Sequence, residues 1–436
     1  MKLQVHHARR LQGEIAVPGD KSITHRALML GALGDGPSRI KGYLDGEDCR
    51  ATIGCLRALG IQIEPLDPQA LLVQGKGLHG WSEPEDVLDC VRSGTTMRLL
   101  AGLLAGQPLY SVLSGDAQLR RRPMGRVITP LTQMGANIWA RDGGRLPPIS
   151  IMGGGLGGIT YALSVASAQV KSCVLLAGLY AEGETAVVEP GPSRDHTERM
   201  LRARGVPLVS EGLRHTLPGP AERLAALDVT VPGDFSSAAY FVAAGLLLPG
   251  DGVLLRNVGV NPTRTGLLDV LHRMGATIEQ QNARDEGGEP TADLWVTPQA
   301  LRATDVGGEV VPRMIDEFPI LALIATQAEG VTRVRDAAEL RVKETDRIAT
   351  TVEALRALGA RIEPLADGFE VEGPTPLHGA TVDSHSDHRL AMTLAIAGLL
   401  AQGETVILGA ESIADSFPGF EKRLHALALG AVGESR

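Results

Sequence analysis

Val17-Pro18-Gly19-Asp20-Lys21-Ser22-Ile23-Thr24-His25-Arg26 joins a strand-breaking Pro-Gly pair to a group of anion-binding side chains, and the apolar run Ala27 to Leu33 follows directly. The run reads as a helix ending at Gly34, so Lys21, Ser22 and Arg26 fall on or near its first turn. A helix start carries unpaired N–H groups and partial positive charge, and two added cations suit it to phosphate or carboxylate. Taken alone, the stretch also fits an ordinary solvated cap. Its repetition changes the weighting: Val231-Pro232-Gly233-Asp234-Phe235-Ser236 restates Val-Pro-Gly-Asp-x-Ser 214 positions later. The chain reads as two matching halves with crossovers at these copies. One lobe is expected over 18–233, and a discontinuous one over 1–17 plus 234–436.

A finer repeat subdivides each half. Leu-x-x-(Leu/Met/Arg)-Gly followed by β-branched residues occurs at Leu56 to Gly60, Leu131 to Gly135, Leu201 to Gly205, Leu271 to Gly275 and Leu355 to Gly359, with a weaker copy ending at Gly430. These define six units of about seventy residues, each with an amphipathic helix that ends at the glycine and hands over to a strand such as Ile61 to Glu64. A second helix per unit is apolar all round: Ala27 to Leu33, Met97 to Leu104, Val170 to Leu179, Ala238 to Leu248, Ile320 to Ala325 and Leu390 to Leu400. Helices without a polar face belong inside a core. Each follows a polar cluster, namely Lys21-Ser22, Ser93-Gly94-Thr95, Ser167-Ala168-Gln169, Asp234-Phe235-Ser236, Asp316-Glu317 and Asp387-His388-Arg389. The expected architecture is α/β, with two lobes of three units, strands outside, buried helices inside, and polar helix starts facing a cleft between lobes.

Composition narrows the class. A 436-residue chain with 44% hydrophobic residues has material for two large cores. A net charge of −9 and 3% aromatics supply neither a basic face nor stacking platforms for nucleic acid. Cys49, Cys55, Cys90 and Cys173 lack metal-type spacing, which fits a reducing cytoplasm. The N-terminus, running from Met1 into His6-His7-Ala8-Arg9-Arg10, lacks the apolar core of an export signal. Later apolar runs reach about a dozen residues, short of the roughly 20 a bilayer needs.

Among local motifs, Gly153 to Gly158 matches G-x-G-x-x-G, but Ile159-Thr160-Tyr161 after it reads as strand where a dinucleotide site needs a helix. No Gly-x-x-x-x-Gly-Lys-Ser/Thr sequence is present. Asp383, His385, Asp387 and His388 look like metal ligands, but Arg389 beside them disfavours a bound cation, and no metal is expected. Arg120-Arg121-Arg122 follows the strand Leu109 to Leu113 and is placed to reach a cleft. In Arg341 to Arg347, a helix would put Lys343, Glu344 and Arg347 on one side, either as a surface ladder or as carboxylates kept among cations for proton transfer.

These motifs together resemble the 5-enolpyruvylshikimate-3-phosphate (EPSP) synthase family: Pro-Gly-Asp-Lys-Ser, Ser93 to Arg98, Arg122-Pro123-Met124, Ser167-Ala168-Gln169, Ser193-Arg194-Asp195-His196-Thr197, Arg341 to Arg347 and Asp387-His388-Arg389 match in order over nearly the whole chain. The resemblance implies a two-lobed inside-out α/β barrel and transfer of the enolpyruvyl group of phosphoenolpyruvate to the 5-hydroxyl of shikimate 3-phosphate, releasing phosphate without metal or organic cofactor. It implies that Lys21, Ser22, Arg26, Ser167, Ala168, Gln169, Arg194, Asp316 and Lys343 bind shikimate 3-phosphate. Lys21, Gly94, Arg122, Gln169, Arg347 and Arg389 would bind phosphoenolpyruvate, with Asp316, Glu344 and Lys21 catalytic. It also implies that glyphosate occupies the phosphoenolpyruvate position. A cytoplasmic monomer acting on small molecules is expected, without nucleic acid or membrane partners. Three positions depart from common family residues: Arg92 for Asn, Leu99 for Pro, and Asp415 where some members carry Lys. The related transferase acting on UDP-N-acetylglucosamine typically has a cysteine before the Arg-Pro pair, whereas Ser114 to Arg122 has Asp116 and no Cys. A non-catalytic polyanion-binding repeat protein would explain the cations but not Asp316 and Glu344 among them.

Overall fold

The computed structural model describes residues 2–428 and 431–435, so the weak repeat ending at Gly430 lies outside the described residues. The chain divides into two compact units: residues 19–232 with 285–289, and residues 1–18, 233–284 and 290–436. Both principal divisions fall inside the Val-Pro-Gly-Asp copies. The short segment 285–289, the tip of a hairpin, is an addition that no sequence pattern announced.

Among the described residues there are six four-stranded sheets, three in each unit. All six share one pattern, in which a short edge strand runs parallel to a central strand whose other neighbour is antiparallel. Leu88–Asp89, Tyr110–Ser114, Leu146–Met152 and Asn137–Ala140 form one such sheet, with Leu88 opposite Leu113 and Tyr110 opposite Met152. The parallel pair normally flanks a buried helix, as the right-handed β-α-β connection requires.

In the unit containing 19–232 the buried helices are α1 (Lys21–Ala32), α2 (Gly94–Gly106) and α3 (Ala168–Gly178), and the more amphipathic α4 (His196–Ala203) packs against α1 and α3. In the other unit α5 (Phe235–Leu247), α6 (Phe318–Ala325) and α8 (His388–Leu400) pack on one another, with α7 (Arg347–Ala357) beside them. Each unit has its own apolar core built around these helices. The all-round apolar helices thus lie inside and the sheets cover them, as their lack of a polar face requires.

At the two Val-Pro-Gly-Asp copies the β-α-β pattern is exchanged. Leu11–Ala16 leads into α1, yet it pairs in parallel with Gly250–Gly259, the strand after α5. Val229–Thr230 leads into α5, yet it pairs with Pro37–Lys41, the strand after α1. Each half therefore lends the other its first edge strand, and the chain must cross twice. Gly19 sits at the first crossing, where a Cβ would lie 2.0 Å from the Gly42 carbonyl oxygen, so no side chain fits.

The repeat helices end as their motif suggests, with Gly60, Gly135, Gly205, Gly275 and Gly359 at φ between +83° and +94°. Boundaries shift slightly; the strand expected at Ile61 to Glu64 is Ile63–Asp67. Thr160–Ala162 is a strand, which leaves the glycine run before it without the helix a dinucleotide site needs. One expectation is corrected. Arg341 to Arg347 is not a helix: a 3-10 turn covers Ala338–Val342, Lys343 is extended, and α7 begins only at Arg347. The Asp346 side chain accepts a hydrogen bond from Ala349 N at 3.1 Å, which fixes the helix start there.

Candidate active site

In the unit containing 19–232, three buried helices begin close together. Asp20 caps α1 by accepting from Ile23 N at 2.9 Å, and Lys21 is the first helical residue. Lys21 Nζ lies 3.2 Å from Asp48 Oδ2. Burial pushes the Asp48 carboxyl up, but Lys21, His25 and Arg122 outweigh it and hold it below the usual range. Arg122, in the loop after the 3-10 turn Leu119–Arg121, thus adds its field to that of Lys21.

Ser93 caps α2 through Thr96 N at 3.1 Å, which makes Gly94 the first residue of that helix. A Cβ built on Gly94 would lie 2.9 Å from Arg98 Nη1 and 3.5 Å from Arg122 Nη1, so the missing side chain admits two guanidinium groups. Arg98 Nη1 in turn donates to Gln169 Oε1, and Gln169 Nε2 donates to Thr95 Oγ1 at 3.0 Å. Gln169 therefore ties the start of α3 to that of α2. Ser167 occupies the N-cap of α3 without making a side-chain capping bond, and Ala168 is the first helical residue. The hydroxyl and the amides of that turn are thus arranged for an external acceptor.

Arg26 is buried, and burial draws its pKa down to about 10. Its Nε donates to Thr197 Oγ1 at 2.7 Å, Nη1 to the Ser22 carbonyl at 3.0 Å and Nη2 to Ser172 Oγ at 2.8 Å. These bonds use three of its five donors and fasten α1 to α3 and α4. Arg194 lies near enough for its charge to oppose that of Arg26. Two cations held together in this way favour an anion.

In the other unit the arrangement centres on Asp316, just before α6. Its carboxylate lies 3.7 Å from Arg264 Nη1, 3.4 Å from Arg347 Nη1 and 3.4 Å from Arg389 Nη2, with its side chain 15% exposed. Arg347 Nη2 also donates to Glu344 Oε2 at 2.6 Å, and Arg347 Nε to Asp387 Oδ2 at 2.8 Å. Burial raises the Glu344 carboxyl, but the charges of Arg347 and His388 bring it down to about 2. Asp387 also caps α8 by accepting from Arg389 N at 2.9 Å, and Arg347 is what chiefly offsets its burial. Lys343 reaches Glu339 at 2.6 Å.

The expected residues divide between the two units. Lys21, Gly94, Arg122, Ser167, Ala168, Gln169, Ser22, Arg26 and Arg194 belong to one; Asp316, Lys343, Glu344, Arg347 and Arg389 belong to the other. Sequence reasoning missed Asp48, Arg98 and Arg264. Arg98 closes the quoted Ser93 to Arg98 motif, and its place one helical turn after Gly94 was a usable cue. Arg264 follows Asn261-Pro262-Thr263, where nothing local announces its reach to Asp234 Oδ1 and Ser236 Oγ at 2.8 and 2.9 Å. Arg92, the unusual residue before Ser93, pairs with Asp116 at 3.3 Å and is half exposed. Asp415 closes the 3-10 turn Ala410–Asp415. Asp387, first considered among metal ligands, is bound to Arg347. Among the described residues the one group with metal-type donors close together is Glu189, Glu198 and His215, and Lys171 Nζ lies 2.7 Å from both carboxylates.

The EPSP synthase (3-phosphoshikimate 1-carboxyvinyltransferase) family model matches residues 5–424. A protein named 3-phosphoshikimate 1-carboxyvinyltransferase from Citrifermentans bemidjiense is 53% identical over 97% of this chain and 98% of its own length. One of the same name from Brevibacillus brevis is 51% identical over 97% and 99%. The solved EPSP synthase of Acinetobacter baumannii superposes with a TM-score of 0.93 at 42% identity, covering 100% of this chain and 99% of that one. The enolpyruvyl transferase NikO of Streptomyces tendae shares the fold, with a TM-score of 0.80 at 21% identity over 98% and 97% of the two chains. Matched from residue 5 to residue 424, and more than half identical to such relatives, the chain belongs to the EPSP synthase family.

Proposed function

We propose that this chain transfers the enolpyruvyl group of phosphoenolpyruvate to the 5-hydroxyl of shikimate 3-phosphate, giving 5-enolpyruvylshikimate 3-phosphate and inorganic phosphate. The observation that carries the reading is the single guanidinium of Arg347, bonded to Asp316 through Nη1 and to Glu344 through Nη2. It holds two carboxyl groups in different environments beside a further cation, Arg389. Such a pair suits a reaction that must remove a proton from a hydroxyl and add one to a carbon.

In this reading Asp316, held among three arginines, accepts the proton of the 5-hydroxyl as that oxygen attacks C2 of phosphoenolpyruvate. Glu344 delivers a proton to the methylene carbon, giving a tetrahedral intermediate. Loss of a proton from the new methyl group then expels phosphate and restores the enol ether. With Arg347 facing it Glu344 is ionised; an anionic substrate group drawn to Arg347 and Arg389 offsets that field and raises the carboxyl toward a donor's pKa. Lys21, Gly94, Arg122, Gln169, Arg347 and Arg389 bind phosphoenolpyruvate, with Lys21 assisting the proton transfers. Lys21, Ser22, Arg26, Ser167, Ala168, Gln169, Arg194, Asp316 and Lys343 bind shikimate 3-phosphate. Both sets include residues of both units.

We propose further that the protein acts as a monomer in the cytoplasm. Cys49, Cys55, Cys90 and Cys173 are free and buried, which suits a reducing compartment. No helix among the described residues is long and apolar enough to cross a membrane. The deciding assay follows phosphate release with phosphoenolpyruvate and either shikimate 3-phosphate or UDP-N-acetylglucosamine as acceptor. Release with the first acceptor alone is expected; release with the UDP-sugar alone would overturn the reading, and release with neither would favour a binding protein.

A further inference from the structure

A buried ionic cluster behind the Ser193-Arg194 turn takes no part in the chemistry above. Lys171, in the second turn of α3, places Nζ 2.7 Å from Glu189 Oε2 and 2.7 Å from Glu198 Oε1. His215 Nε2 lies 3.0 Å from the same Glu189 oxygen, and its Nδ1 lies 2.7 Å from Ser210 Oγ. Lys171, Glu189 and Glu198 are almost fully buried, and His215 nearly so. The ammonium group stands where a metal ion would have to stand between these carboxylates, and it neutralises one of the two charges. Taking such groups out of water is costly, so the arrangement asks for a role beyond packing.

Two contacts lead out of the cluster to the same residue. Ser193 Oγ donates to Glu189 Oε1, and the Ser193 carbonyl lies 3.4 Å from Lys171 Nζ. Both polar ends of Ser193 are thereby gripped immediately before Arg194. On the other side of that turn Glu198, the third residue of α4, pairs with the same lysine, while Thr197 bonds to Ser172 Oγ at 2.7 Å. The adjacent pair Lys171-Ser172 is thus stapled to the adjacent pair Thr197-Glu198. Lys171 N also accepts its place from the α3 start, donating to the Ser167 carbonyl at 3.0 Å. One lysine therefore sets the position of the Arg194 turn relative to Ser167.

We propose that Lys171 is a positioning residue for shikimate 3-phosphate, fixing Ser193-Arg194 against the start of α3 so that Arg194 and Ser167 meet the same substrate. The proposal rests on the assignment of Arg194 and Ser167 to that substrate. It predicts a selective defect: in Lys171→Met, the KM and the calorimetric Kd for shikimate 3-phosphate rise by about tenfold, as expected of an ångström-scale misplacement. The KM for phosphoenolpyruvate stays within about twofold, and Lys171→Arg recovers much of the loss.

Because Lys171→Met removes the ammonium group shared by two buried carboxylates, the double variant Lys171→Met/Glu198→Gln and the mild Ser193→Ala are measured beside it. The Ser193→Ala defect should vanish in an Arg194→Ala background, since both changes then act through the same missing group. Amide hydrogen exchange of residues 190–197 in the substrate-free protein gives a readout independent of the reaction, and faster exchange in Lys171→Met is expected there. Unchanged exchange in a folded Lys171→Met, additive Ser193→Ala and Arg194→Ala effects, or equal losses for both substrates would each overturn the proposal. If the wild type fails to bind shikimate 3-phosphate, the substrate assignment falls, while the exchange measurement still decides whether Lys171 anchors the turn.

Discussion

Gly94→Ala tests the geometry at the start of α2. The new methyl carbon would sit 2.9 Å from Arg98 Nη1, whereas ordinary contact begins at 3.4 Å; the guanidinium must therefore retreat by 3.4 − 2.9 = 0.5 Å. Arg98 is part-buried and its Nη1 donates to Gln169 Oε1, so that retreat strains or breaks the bond tying α2 to α3. A hydrogen bond to a charged group is worth about 1.5 kcal/mol or more, and its loss corresponds to roughly tenfold in binding. The substitution should therefore raise the phosphoenolpyruvate KM by about tenfold through Arg98 and Gln169. Glyphosate, the longer ligand expected at the same position, should lose more, because it meets the methyl group as well as the displaced arginine. Initial-rate kinetics with varied phosphoenolpyruvate at several glyphosate concentrations yield both factors. Equal factors for substrate and inhibitor, or a variant structure with Arg98 and Gln169 still bonded and KM unchanged, would refute the reasoning. Arg92 pairs outward with Asp116, so Arg92→Asn should alter glyphosate inhibition less than Gly94→Ala does, and the same kinetics check it.

Lys21→Met should abolish measurable turnover while circular dichroism and the unfolding midpoint stay close to wild type, since the side chain is part-exposed and its removal opens no apolar cavity; near-normal turnover would remove Lys21 from the site. Glu344→Gln should retain substrate binding but slow protonation of the methylene carbon by roughly 10²-fold or more, and undiminished solvent-deuterium exchange into that carbon would exclude the role. His25 is buried against Thr52 Oγ1 at 2.7 Å, and burial lowers its pKa from 6.5 to about 4. The unfolded chain binds that proton first, so this contribution is complete above pH 6.5, declines as the pH falls, and is gone below about 4. It amounts to roughly 3 kcal/mol. Urea unfolding from pH 7 to pH 4 should show a flatter acid limb for His25→Gln than for wild type, and parallel limbs would count against it.

The repeats were legible in the sequence because hydrophobic periodicity and helix-terminating glycines are local properties. Six apolar helices and five of the repeat-ending glycines could be read without coordinates, as could the charged residues at several helix starts. The Arg341 to Arg347 segment shows where local reading stops. Its spacing suited a helix, but Arg347 is drawn to Asp316, Glu344 and Asp387, and the Asp346 cap sets the helix start after Glu344 rather than before it. Only the tertiary structure decided which cations meet which carboxylates. Arg264 reaches Asp234 across 30 positions of sequence, and Lys171 reaches Glu198 across a strand and a loop, because packing rather than proximity in the chain brings them together. The exchange of Leu11–Ala16 and Val229–Thr230 between sheets was likewise decided by pairing. A strand's sequence shows that it needs a neighbour, whereas the choice of neighbour depends on the whole surface that the folded chain offers.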